Sequence, residues 1–97
     1  MNKLLNNISD CIKICQEEIE KRNNGIKGES TLEQLENVIL PELNKLFNQL
    51  KNDSIPLQKD RYLTSFAYAF KIWGWDMQKP TELFILLQKI NDTYKNL

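Results

Sequence analysis

In every long segment of this chain the apolar residues recur at steps of three and four, and no segment alternates strictly as a half-buried strand does. That period predicts helices, each with one apolar stripe to bury against a neighbour. Leu4, Leu5, Ile8, Cys11, Ile12, Cys15 and Ile19 form the first stripe, on a helix expected over 2–23. Asn23, Asn24 and Gly25 end it, because Asn and Gly accept the left-handed conformation of a helix end. Ser30-Thr-Leu-Glu33 has the form of a capping box, in which the Ser hydroxyl accepts the third backbone N–H and Glu33 reaches back. The second stripe is Leu32, Leu35, Ile39, Leu43, Leu46, Phe47 and Leu50. Pro41 lies within it, lacks an N–H and crowds the preceding turn, so a kink is expected near Leu40. The stripe stays in phase through Pro41, which favours one bent helix over two across 31–51.

Residues 52–56, Asn-Asp-Ser-Ile-Pro, are the clearest connector. A third helix is expected over 57–73, stopping at Gly74, with Tyr62, Leu63, Phe66, Phe70 and Trp73 on its buried face and Ala67 and Ala69 allowing close approach. A fourth opens at Pro80, a favoured first helical position, and buries Leu83, Phe84, Leu87, Ile90 and Tyr94. The fold class expected is all-α: four amphipathic helices with short links, packed as an antiparallel bundle in a single domain, 1–97.

Six of the nine aromatic residues fall within 61–76: Tyr62, Phe66, Tyr68, Phe70, Trp73 and Trp75. Such density builds either a core or an adhesive surface. Trp73 is in phase with Phe66 and Phe70, but Trp75 falls outside the helical phase and is followed by Met77. Trp75 therefore either plugs the end of the bundle or stands exposed with Met77 as an anchor for a partner, and the plug is favoured because an exposed Trp is costly in a monomer.

With 41% hydrophobic and 27% charged residues, the chain is expected to fold without disorder. No apolar run approaches a membrane span, and the first residues lack the apolar region of a signal peptide, so a cytoplasmic protein is expected. The net charge is zero, which argues against nonspecific nucleic-acid binding. Residues 10–42 nevertheless carry a net −4 and residues 43–97 a net +3. The acidic half can face a basic partner, or the halves can simply pair or be solvated.

Catalytic chemistry is thin. There is no histidine, and Gly25, Gly28 and Gly74 make no phosphate-binding loop. Cys11 and Cys15 lie four apart on one helix face, where a disulfide would strain the helix and two thiolates would leave a zinc site incomplete; reduced core thiols are expected. Glu17, Glu18 and Glu20 cluster beside Lys21 and Arg22 in what reads as a solvated face. No catalytic residue, metal or cofactor is expected.

The stretch Arg61-Tyr-Leu-Thr-Ser-Phe-Ala-Tyr-Ala-Phe, with Trp73-Gly-Trp-Asp76, Pro80, Leu86-Leu87 and Thr93-Tyr94-Lys-Asn-Leu97, resembles a pattern in small helical bacterial immunity proteins encoded beside toxins. The resemblance covers the C-terminal third. It implies a cytoplasmic protein that binds one toxin domain and blocks it; immunity surfaces are specific to each toxin, so no binding residues transfer. The charge pattern is compatible, since a basic toxin domain would be steered to Glu17, Glu18, Glu20, Glu29, Glu33 and Glu36, with Trp75 and Met77 as candidate anchors. The rival readings are a helical adaptor that self-associates, through Trp75, Met77 or Ile14, and a nucleic-acid-binding regulator using the scattered lysines of the C-terminal half.

Overall fold

The computed structural model describes residues 2–54 and 56–97; Ile55 of the expected connector, like Met1, lies outside the described residues. Among them are four helices and no strand, so the chain is all-α. Helix α1 spans Asn2–Asn23. Helix α2 is one continuous run over 32–51 in three pieces: an α-helical turn Leu32–Gln34, a π-helical stretch Leu35–Ile39 and α-helical Leu40–Lys51. Helix α3 is Thr64–Lys71 and helix α4 is Glu82–Lys95. A short 3-10 turn, Gln58–Asp60, lies between α2 and α3.

Helix α1 ends as its sequence requires. Gly25 takes φ +82°, Ile26 N–H donates to the Lys21 carbonyl at 2.9 Å, and Gly25 N–H donates to that of Arg22 at 3.1 Å. This paired closure satisfies carbonyls that the helix end would otherwise orphan. The capping box of α2 is shifted one residue from expectation. Thr31, not Ser30, accepts the Gln34 N–H at 3.1 Å, while Gln34 Oε1 accepts the Thr31 N–H at 3.0 Å. Ser30 is instead taken by Arg22, whose Nε donates to its carbonyl at 2.7 Å and whose Nη2 reaches its hydroxyl at 3.2 Å. The same Nη2 bonds Glu18 at 2.9 Å, so a nearly buried guanidinium stitches the α1–α2 loop to α1. The guanidinium occupies the space that a Cβ on Gly28 would take.

Residues 32–51 form one helix, not two, and the irregularity lies just upstream of Pro41. The Leu40 N–H donates to the Leu35 carbonyl, five residues back. A proline cannot donate and its ring crowds the carbonyl four residues earlier; a widened preceding turn relieves that crowding.

The core is built from the expected stripes of α1, α2 and α4. Leu4, Ile8, Cys11 and Cys15 of α1 are fully enclosed, facing Leu35, Ile39 and Leu43 of α2 and Leu87 and Ile90 of α4. Helix α1 packs against both α2 and α4, and α3 packs on α4. Each such side chain contributes about 1.5–3 kcal/mol by leaving water.

Helix α3 departs most from expectation: it occupies 64–71 rather than 57–73. Its lost first turns are explained by acceptors from other helices. Leu63 stays extended and gives its N–H to the buried Asn91 Oδ1 of α4 at 2.8 Å. Thr64 and Ser65 donate their backbone N–H groups to the two carboxylate oxygens of Glu42 on α2, each at 2.7 Å, and the Ser65 hydroxyl donates to the same carboxylate at 2.6 Å. Starting there, α3 buries Ser65 and Ala69, while Tyr62 and Phe70, expected in the core, are exposed. Gly74, at φ +68°, turns the chain back, and Trp75 N–H donates to the Ala69 carbonyl at 3.1 Å. Trp75 is thereby buried, as the plug expectation had it. Pro80 precedes the helix rather than opening it, because Thr81 is the cap of α4 and accepts the Phe84 N–H at 3.2 Å. Asp76 holds the turn between, accepting from Gln78 and Lys79 N–H.

The aromatic cluster answers the core-or-surface question with both. Six rings touch in series, Phe70–Phe66–Phe84–Trp75–Trp73–Tyr68, with successive centroids 5.5–6.0 Å apart. The middle of this ladder is core, and both ends reach solvent.

Candidate functional site

The two thiols are enclosed and inert by construction. Burial, then the neighbouring Glu18 charge, pushes the Cys15 thiol up to about 12, and its Sγ–H points to the Leu35 carbonyl at 3.8 Å. Burial, then the charges of Cys15 and Asp10, raises Cys11 as well. A thiol whose pKa rises on folding is protonated in the folded state where the unfolded state has ionised. Stability from this source is therefore intact below the ordinary value of 9.0 and falls as pH climbs towards 12. The expected result is a melting temperature that drops above pH 9 and is less alkali-sensitive in Cys15→Ala, together with negligible labelling by a thiol reagent at neutral pH until the chain is unfolded. Among the described residues, no group of three or more His, Cys, Asp or Glu converges in a metal-binding arrangement.

The acidic residues singled out in the sequence do not form one surface. Glu17, Glu18 and Glu29 meet at a shallow cleft of about 280 Å³, joined there by Glu82 and by Lys21 and Arg22. Glu18 is engaged by both bases. Burial alone would raise its pKa, but the hydrogen bonds and charges of Lys21 and Arg22 outweigh it and hold the carboxyl below its usual value. Glu29 accepts the Asp76 N–H at 2.8 Å and so ties the α1–α2 loop to the α3–α4 connection. Glu33 stands apart, in a cleft with Trp73. Glu20 and Glu36 are exposed and border neither cleft. Trp75 offers no ring to a partner, being 4% exposed, whereas Met77 is 53% exposed.

The sequence missed the apolar surface that flanks α3. Tyr62, Tyr68, Phe70 and Ile72 are all exposed, within eleven residues. Towards α2, two shallow clefts of about 390 and 380 Å³ share Asn37 and Val38. The first is bounded by Glu33 and Trp73, the second by Pro41 and Tyr68, and the Tyr68 and Trp73 rings meet edge-on at 5.8 Å. This is an amphipathic face: two aromatic rings with an indole N–H and a phenol hydroxyl, and carboxylates beside them. Towards α4, a separate groove of about 480 Å³ is lined by Tyr62, Phe66, Ala67 and Phe70, with Lys71, Asn91 and Lys95.

Open, shallow surfaces rich in aromatic side chains suit another protein better than an enclosed small molecule. No helix among the described residues is long and apolar enough to cross a membrane. No family model matches this chain, and neither the curated proteins nor the solved structures include a detectable relative.

Proposed function

We propose that this chain is a non-catalytic protein-binding module of the immunity type, a cytoplasmic inhibitor that docks on one basic toxin domain. Its helices would run antiparallel as a bundle, with α2 bent at Pro41, presenting the α2–α3 face to the partner. The observation that supports this reading is the edge-on pair Tyr68–Trp73 bordered by Glu33. Aromatic rings with a polar tip are favoured interface anchors, and carboxylates beside them steer a basic surface towards them. Glu36, exposed on the same helix as Glu33, adds to that field, as do Glu17 and Glu20 on α1.

The test uses the product of the neighbouring reading frame as the candidate toxin domain, with binding followed by surface plasmon resonance. A one-to-one complex is expected, with association that slows as salt rises. Tyr68→Ala is expected to weaken it by at least about tenfold, mainly in dissociation, and Glu33→Lys with Glu36→Lys is expected to slow association. A complex indifferent to all three changes, or no complex at all, would sink the proposal.

A further inference from the structure

Asn24 and Gly25 are the chain's single Asn-Gly pair, and they sit at the closure of α1. We infer that this pair is a site of spontaneous covalent modification, at which the Asn24 amide becomes a carboxyl through a cyclic imide, and that the Arg22 clamp on the α1–α2 loop sets the rate. The chemistry needs only water. The Gly25 main-chain nitrogen gives up its proton and attacks Asn24 Cγ. As that bond forms, the bond from Cγ to the side-chain nitrogen breaks, and this nitrogen takes up a proton and leaves as ammonia. Water then opens the imide ring at either carbonyl. One opening leaves aspartate; the other leaves isoaspartate, whose main chain runs through the side-chain carbon.

The surroundings favour ring closure. Asn24 and Gly25 are both exposed, so water reaches them. A Cβ placed on Gly25 would meet no atom within 4 Å, so no wall stands in the way. Gly25 can also leave φ +82° for other backbone conformations at little steric cost. What opposes the reaction is hydrogen bonding. The attacking nitrogen donates its N–H to the Arg22 carbonyl at 3.1 Å, and the adjoining Ile26 N–H donates to the Lys21 carbonyl at 2.9 Å. A nitrogen held in this way neither loses its proton nor turns towards Asn24 Cγ. Conversion therefore proceeds from a locally opened closure. Arg22 keeps it shut: Nη1 reaches the Ile26 carbonyl at 3.5 Å, while Nε and Nη2 hold Ser30 at the far end of the loop.

The product disturbs the fold that restrained it. Aspartate at position 24 puts a charge where the end of α1 is already negative, one turn beyond Glu20. Isoaspartate adds a main-chain carbon and breaks the spacing of the paired closure. The loosened loop carries Glu29, which accepts the Asp76 N–H at 2.8 Å, so the change reaches the α3–α4 connection. None of this depends on the docking reading.

The experiment ages the full chain at mildly alkaline pH, folded and in guanidinium chloride. Peptide mass spectrometry locates each converted asparagine, and isoaspartyl methyltransferase labelling counts the isoaspartate. Asn24 is expected to convert first, and at least about tenfold faster in the unfolded chain, because the folded one reacts only while open. Arg22→Ala, and Gly28→Ala, which crowds the same guanidinium, should each speed conversion in chains that circular dichroism shows to be folded. Asn24→Asp should accelerate amide exchange at Ile26 and Asp76, and Asn24→Ser should abolish ammonia release from the loop. The inference is overturned by an Asn24 that stays unmodified in the folded chain, by earlier conversion of another asparagine, by equal rates in folded and unfolded chains, or by folded Arg22→Ala and Gly28→Ala chains that age like wild type.

Discussion

Trp75→Ala is expected to lower the stability of this domain by about 3–5 kcal/mol, the range for deleting a large buried aromatic. Trp75 closes the end of the core, with its ring 5.5 Å from both Trp73 and Phe84. Alanine there leaves a cavity that the fixed turn at Gly74 cannot collapse, and it cuts the aromatic ladder in two. Small domains have only about 5–15 kcal/mol in total, so much of the chain's margin would vanish. Urea unfolding followed by far-UV circular dichroism measures this directly. Trp75→Phe is the informative companion. Among the described residues, Trp75 Nε1 is the buried side-chain polar atom without a hydrogen-bond partner, and an unpaired buried donor costs about 1–3 kcal/mol. Phenylalanine removes that donor while keeping a ring, so its loss is expected to be well under half that of alanine. Equal losses for the two variants would mean that the indole N–H finds an acceptor in solution.

Glu42→Ala is expected to cost about 2–4 kcal/mol, because each hydrogen bond to a charged group contributes about 1.5–3 and three are lost together without adding fully. The carboxylate is the cap of α3: Leu63, at the cap position, makes no side-chain bond to the helix, and Glu42 receives Thr64 N–H, Ser65 N–H and the Ser65 hydroxyl. Glu42→Gln keeps one acceptor oxygen and should fall between wild type and alanine. Amide hydrogen exchange at Thr64 and Ser65 should accelerate in both variants, more than at the centre of α1. Since α3 carries Tyr68 and Glu42 itself lines the α2–α3 face, Glu42→Ala should also weaken partner binding. An unchanged unfolding midpoint would show that the helix start is held by other means.

These two sites also mark where the chain was legible from its sequence and where it was not. Helices α1 and α4 follow from local periodicity alone: Leu4, Ile8, Cys11 and Cys15, and then Leu83, Leu87 and Ile90, are buried because the steps of three and four place them on one side. The start of α3 was not legible, because what fixes it comes from Glu42, 22 residues before Thr64, and from Asn91, 28 residues after Leu63. Tyr62 and Phe70 fit a helical stripe in the sequence, yet α3 buries Ser65 and Ala69 instead. The shifted cap at Thr31 has the same origin, since Arg22 claims Ser30 from the preceding helix. The glutamates illustrate the converse: Glu17, Glu18 and Glu20 adjoin in sequence, yet Glu29 and Glu82 share the cleft with the first two and Glu20 does not. Charge counting gives the sign of a region, and only the fold assigns carboxylates to a surface.

The ladder of rings gives the molecule a built-in optical readout. Its two indoles sit side by side, Trp75 sealed from solvent and Trp73 half-buried beside Glu33. Intrinsic fluorescence should therefore carry a shielded, blue-shifted component from one and a quenchable component from the other. An occupant of the α2–α3 face would protect Trp73 from acrylamide, so docking there can be followed in unlabelled protein.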